Sequence, residues 1–231
     1  MSKNKQNEET RTSIDEINDS LTAMTEKVQK NQKVIMIASI CVVAIVAIVA
    51  AIFFIWMPKK AEAAANAVGN PDRELIVNGN DSLALAGYVE VAENYGGDNG
   101  NRAALMAAIE YYKKGEYENA LKYAQKYDAN DDIIGAAAYS LEGDCLVNLD
   151  KLAEAEKAFK NAIEQSDKNP EYTPFFMVKL ARVYNAQNNY AAEAEIYQQI
   201  RDNYPAYASA SGVNVEKYLE TAKARAAAPA K

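Results

Sequence analysis

From Val34 to Met57 the chain reads VIMIASICVVAIVAIVAAIFFIWM, an apolar run with no charge and no proline, whose one hydroxyl belongs to Ser39. As a helix rising about 1.5 Å per residue, it is long enough to cross a hydrocarbon core of roughly 30 Å with some tilt. Lys27, Lys30 and Lys33 bound the run on one side and Lys59 and Lys60 on the other, and Trp56 stands where an interfacial aromatic belongs. A cleaved secretory signal has a much shorter apolar core behind a short basic start, so a retained anchor fits better. A lipoprotein signal would place a small residue before an acylated cysteine, but Ile40 precedes Cys41 and more apolar residues follow it. The run therefore divides the chain into a tail (1–33), a membrane helix (34–57) and a large domain on the opposite side.

The charge is unevenly shared. The tail balances six basic against six acidic residues, and Lys59 and Lys60 add two positives, so the chain's net −7 leaves −9 on residues 61 to 231. That excess repels nucleic acid and anionic lipid, whose binding rests on Lys and Arg neutralising phosphate. The sequence contains no histidine, which removes histidine-based nucleophile systems, metal sites and proton shuttles together. Of the two cysteines, Cys41 lies in the apolar run and Cys145 beyond it, which argues against a disulfide within the chain.

Periodicity marks helices on both sides of the anchor. Ile14, Ile17, Leu21, Met24 and Val28 alternate spacings of three and four, the seam of an amphipathic or coiled-coil helix, and Ser13 with Glu16 fits a capping box. This helix lies on the membrane or a partner, or associates with a second copy. After the anchor, the Ala-rich stretch extends the helix until Gly69-Asn70-Pro71 breaks it, which makes 58–80 a linker. Asn78-Gly79-Asn80-Asp81 reads as a turn, Ser82 to Tyr95 as a helix, and Gly96-Gly97-Asp98-Asn99-Gly100 as its stop.

From residue 101 the sequence repeats. Tyr117, Leu152 and Tyr190 occupy equivalent places, 35 and 38 residues apart, and each unit holds two helix-length segments with small residues where the pair crosses. One such hairpin cannot bury its apolar face alone, so the pattern implies stacked hairpins at about 101–134, 136–170 and 174–207. At these residues the chain resembles the tetratricopeptide repeat family. The third unit matches through Leu180, Ala181, Tyr184, Tyr197 and Pro205, with Glu193 at the motif's usual Ala position. The second matches through Gly143, Ala155, Phe159 and Ala162, with Leu146 in place of the usual aromatic. The first matches through Ala108, Tyr111, Tyr117 and Ala120 and lacks the closing proline. The fold expected is all-α, an N-terminal transmembrane helix followed by a helical-hairpin solenoid over 81–226. Ser82 to Tyr95 and Asn214 to Arg225 shield its ends, and residues 227–231 form a disordered tail.

The layout is similar to a narrower group, the YfgM-like membrane-anchored repeat proteins of Gram-negative envelopes. The stretches AENYGG (92–97) and NRAALMAAIEYY (101–112) look like its Bacteroidetes-type members. The resemblance implies a cytoplasmic tail, an inner-membrane anchor and a periplasmic repeat domain. It also implies an ancillary, chaperone-like role at the Sec translocon, with emerging envelope proteins or a periplasmic chaperone as partners. The alternative is a scaffold for an envelope complex with one fixed partner. Catalysis and cofactors are not expected.

In tetratricopeptide proteins the first helix of each unit lines a binding groove. Carried over by motif position, that face comprises Arg102, Leu105, Ile109 and Tyr112, then Asp144, Val147 and Asn148, then Phe175, Val178, Arg182 and Asn185. Ile109 and Asp144 replace the basic and asparagine residues that some members use to clamp a terminal carboxylate. The alternative for this face is a solvated surface partly packed by the flanking helices. Asp128, Asp131 and Asp132 sit between helices, where Asp serves as a cap or turn former, and the tyrosines at repeat-defining positions are expected in the core.

Positive charge near the membrane is tied, with Lys27, Lys30 and Lys33 against Lys59, Lys60 and Arg73, and Lys3, Lys5 and Arg11 tip it toward a cytoplasmic tail. Protease added to spheroplasts is therefore expected to degrade residues 61 to 231; full protection behind an intact membrane would reverse the assignment.

Overall fold

The structure is a computed structural model that describes residues 18, 20–22, 24, 25 and 28–228. It divides into two units, residues 1–59 and 60–231. In the first, Leu21, Met24 and Val28 are helical and exposed, whereas Ile14, Ile17 and the Ser13–Glu16 pair lie outside the described residues. Helix α1 (Gln32–Ala51) and a π-helical turn (Ile52–Trp56) follow. Their side chains find no burial within the protein, as a lipid-facing helix requires. Among the described residues, this is the one stretch long and apolar enough to cross a membrane, with a mean hydropathy of 3.1.

The linker expected over 58–80 is instead helical as far as Ile76. Helix α2 (Met57–Ile76) runs through Gly69-Asn70-Pro71, and Ala64, Val68 and Pro71 are buried. Proline forfeits one backbone hydrogen bond in a helix interior, but here its ring packs where another side chain is missing. A Cβ added at Gly87 would come within 2.9 Å of the Pro71 ring. The turn at Asn78–Asn80 forms as read, and the Asn80 side chain accepts from Leu83 N at 3.1 Å to cap α3 (Asp81–Asn94). Helices α2 and α3 thus form a hairpin of their own. Tyr88, fully buried, donates from its hydroxyl to Asp72 at 2.7 Å.

Three further hairpins follow: α4 (Gly97–Lys113) with α5 (Tyr117–Ala124), α6 (Ile134–Asn148) with α7 (Leu152–Gln165), and α8 (Tyr172–Ala186) with α9 (Tyr190–Asn203). Of the stop read at Gly96 to Gly100, Gly97 onward is already helical and belongs to the start of α4. The same turn closes all three hairpins. Gly115, Asp150 and Asn188 take φ of 76°, 57° and 58°. Glu116, Lys151 and Asn189 each donate backbone N–H to the carbonyl five residues back, at Tyr111, Leu146 and Tyr184. This left-handed cap satisfies carbonyls that a helix end leaves open. It also fixes the 35- and 38-residue offsets at the level of single hydrogen bonds. Pro205 opens the short α10 (Pro205–Ala210), and α11 (Val215–Ala226) covers the C-terminal end, burying Val215 and Leu219 against Tyr197 and Ile200. Of the C-terminal tail, Ala227 caps α11 and residues 229–231 lie outside the described residues.

The core uses alanine where helices cross and a few large rings to fill what remains. Phe159 is 1% exposed and packs with Leu146 of its own hairpin and Leu180, Val183 and Tyr184 of the next. A Cβ at Gly143 would come within 2.6 Å of its ring, so the glycine is the hole the phenylalanine fills. Of the tyrosines at repeat-defining positions, Tyr184 and Tyr197 are buried in the core, whereas Tyr111 and Tyr117 are half-buried.

Removing this ring is expected to destabilise the domain by about 3–5 kcal/mol. Phe159→Ala should therefore lower the melting temperature strongly, and Gly143→Ala should do so by overpacking. Lys160→Ala, which breaks a 2.7 Å surface pair with Glu156 and a 5.8 Å approach to the Tyr184 ring, should move it little. Equal small effects on calorimetry would contradict the packing described.

Candidate functional site

The hairpin turns place Ile109, Asp144 and Arg182 at one equivalent position of the three first helices, since their carbonyl-to-turn registers coincide. Near this row a cleft of about 250 Å³ opens between three hairpins. Tyr112 comes from the end of α4, Asp144, Val147 and Asn148 from α6, and Lys179 and Arg182 from α8; Leu152 and Phe159 of α7 and Val183 and Ala186 of α8 give it an apolar lining.

Polar contacts order its rim. The Lys179 ammonium pairs with the Asp144 carboxylate, donates to the Ser140 hydroxyl at 2.9 Å, and lies 5.0 Å from the ring centre of Phe175 and 5.8 Å from that of Phe159. Its charge is thus neutralised within the protein and its body held by two aromatics. Asn148 Nδ2 donates to the Asp144 backbone carbonyl at 2.8 Å and reaches the Tyr112 hydroxyl at 3.4 Å. Tyr112 meets Tyr117 edge-on at 5.4 Å. Burial, followed by the nearby Asp144 carboxylate, pushes the Tyr112 phenol up from its ordinary range. Cys145, beside Asp144 in sequence, faces the core; burial and then the Asp144 and Glu142 charges push its thiol up to about 12, leaving it unreactive at neutral pH.

Of the residues carried over from the motif, Tyr112, Asp144, Val147, Asn148 and Arg182 line this cleft, and Phe175, 45% exposed, flanks it through Lys179. Leu105 and Ile109 are half-buried on α4 and do not line it. Three residues lie elsewhere. Arg102 makes a two-pronged ion pair with Asp72 of α2, at 2.9 and 3.0 Å. Val178 is buried in the cluster that includes Tyr197 and Leu219. Asn185 donates to Glu193 at 2.8 Å, which supplies the partner that this buried carboxylate needs at the motif's Ala position. Lys179 escaped the sequence reading, although its place four residues after Phe175 and three before Arg182 puts it on their face of the helix.

The aspartates between α5 and α6 act as turn formers. Asp131 accepts from the backbone N–H of Ile133 and Ile134 at the start of α6. A single side chain, Asn101, pairs both backbone groups of Asp128, donating to its carbonyl at 3.0 Å and accepting from its N–H at 2.6 Å.

The crystal structure of a MamA protein superposes with a TM-score of 0.51 at 18% identity, covering 71% of this chain and 92% of that one. A second MamA structure gives 0.49 at 19% identity over 68% and 94%. The TPR-like repeats of a Podosopora anserina putative kinesin light chain give 0.48 at 14% identity over 71% and 94%. The fold is a tetratricopeptide-like solenoid. No family model and no curated protein matches the sequence, and the narrower YfgM-like resemblance rests on the sequence alone.

The Asp72–Arg102 pair generates a pH dependence. Burial raises the Asp72 carboxyl, but hydrogen bonds from Arg102 and Tyr88 outweigh it and hold its folded value below the ordinary carboxylate range. A depressed folded value stabilises above the unfolded one and is lost as pH falls through it. Acid titration monitored by circular dichroism should show wild-type protein losing stability below about pH 4 more steeply than Asp72→Asn, which should already be weaker at pH 7. Parallel curves would remove Asp72 from the linkage.

Proposed function

We propose that this chain is a membrane-anchored protein-binding module, in which the first helices of the hairpins capture a segment of a partner. The observation that carries this reading is the cleft built by Tyr112, Asp144, Asn148, Lys179 and Arg182 over an apolar floor. Rigid helices supply its walls, exposed aromatic and arginine side chains supply anchors of the type that dominate binding energies, and no reacting group is positioned there. The tetratricopeptide fold supports a protein partner in general, and function follows from the site rather than the fold alone.

Placement follows from the anchor and the YfgM-like resemblance. The tail lies in the cytoplasm and the solenoid in the periplasm, where the module serves as an ancillary subunit at the Sec translocon and contacts emerging envelope proteins or a periplasmic chaperone. Tethering gives the physical logic: a groove held beside an exit site works at high effective concentration, so modest affinity suffices. The tail seam of Leu21, Met24 and Val28 gives a second copy a place to pair. The competing scaffold role, with one fixed envelope partner, draws on the charged rim of the same cleft.

In-cell photocrosslinking from Tyr112 tests this. Many emerging envelope proteins together with translocon subunits are expected; one stoichiometric partner would turn the reading to the scaffold. Replacing Tyr112, Phe175 and Arg182 together by alanine should weaken capture while preserving helicity and lowering the melting temperature far less than Phe159→Ala does. Normal partner recovery by a well-folded triple variant would move the interaction off this face.

A further inference from the structure

The charges of the cleft are not equivalent. Asp144 and Lys179 neutralise each other, and Lys179 is further occupied by Ser140 and two aromatic rings. Arg182 is different. It is exposed at the cleft rim, and none of the ion pairs among the described residues includes it. Its charge lies near the phenols of Tyr197 and Tyr207, whose ionisation it favours. Yet carboxylates outnumber cations by nine over residues 61 to 231. An arginine in the cleft that has taken none of them leaves its planar donor fork available.

Resting on the protein-binding reading above, we infer that the captured segment presents a carboxylate side chain to Arg182, beside one large apolar side chain seated on Val147, Leu152 and Val183. A guanidinium matches a carboxylate through two parallel hydrogen bonds, a geometry that an ammonium cannot offer. The apolar floor supplies the area, and its exclusion of water strengthens the ionic contact next to it. The same arrangement selects against basic segments, because the one acidic group of the lining, Asp144, is already held by Lys179. The site therefore reads one acidic residue close in sequence to one Leu- or Phe-sized residue within a segment.

The test uses the full-length protein in nanodiscs and fluorescein-labelled nine-residue peptides of Gly, Ser and Ala, blocked at both ends. Each carries one Leu, with Glu, Gln or Lys two positions further on. Fluorescence anisotropy should show the Glu peptide binding about tenfold more tightly than the Gln peptide, as expected for one charge-assisted contact, and the Lys peptide more weakly still. Arg182→Gln, with circular dichroism unchanged, should erase the difference between Glu and Gln, and Arg182→Glu should reverse the order in favour of Lys. A reversal of preference cannot arise from a structural role. Equal binding of all three peptides to wild type would overturn this inference and leave the protein-binding reading standing, as would a Glu preference that survives Arg182→Gln. Failure of every peptide to bind would overturn both.

Discussion

The distance between α6 and α7 is set by a phenylalanine that needs a missing side chain. Phe159 occupies the space a Cβ at Gly143 would claim, and only in that seat does it reach Leu180 and Val183 of the next hairpin. Close packing makes this a steep constraint, because an interior at crystal-like density absorbs neither a void nor an extra methyl without cost. Pro71 and Gly87 repeat the arrangement at the other end of the array, with a ring on one helix and a bare Cα on its neighbour. Alanines fill most other crossings: Ala104, Ala108, Ala120, Ala155 and Ala162 are all essentially inaccessible. The cleft depends on this packing, since Phe159 forms part of its floor and Asp144 follows Gly143 directly.

Electrostatics then decide which of the lined-up side chains remain available. Equivalent positions on the first helices carry Ile109, Asp144 and Arg182, so identical geometry presents three chemistries in a row. Asp144 is neutralised from α8, while Arg102 is drawn away to Asp72. Where the motif is broken, as at Glu193, the protein answers locally with Asn185. A buried carboxylate left without donors would destabilise the hairpin more than the lost alanine contact. Motif position and availability are therefore separate properties.

The repeat offsets of 35 and 38 residues were legible because a hairpin turn is a local object. Gly115, Asp150 and Asn188 carry it with little help from distant residues. Burial of Tyr184 and Tyr197 followed from the same spacing. What sequence did not reveal depends on contacts across the fold. Gly69-Asn70-Pro71 looks like a helix break until Gly87, sixteen positions later, supplies the room its ring needs. Missing that helix meant missing Asp72, and with it the reason Arg102 does not face the cleft. Val178 sits on a face that is open in a repeat alone and closed once α11 packs over the end. Lys179 needed Asp144 and the two phenylalanines to become recognisable as an ordered rim residue rather than a solvated lysine.

The far half of α2 is gripped sideways within the solenoid, through Pro71 against Gly87 and Asp72 between Arg102 and Tyr88. Any tug along α2 is consequently met in shear, spread over a ring contact and a fork of hydrogen bonds, rather than by peeling one bond at a time. Shear loading of several contacts in parallel resists force far better than sequential opening. The clamp makes the solenoid's first hairpin a mechanical fitting, with Arg102 as its bolt.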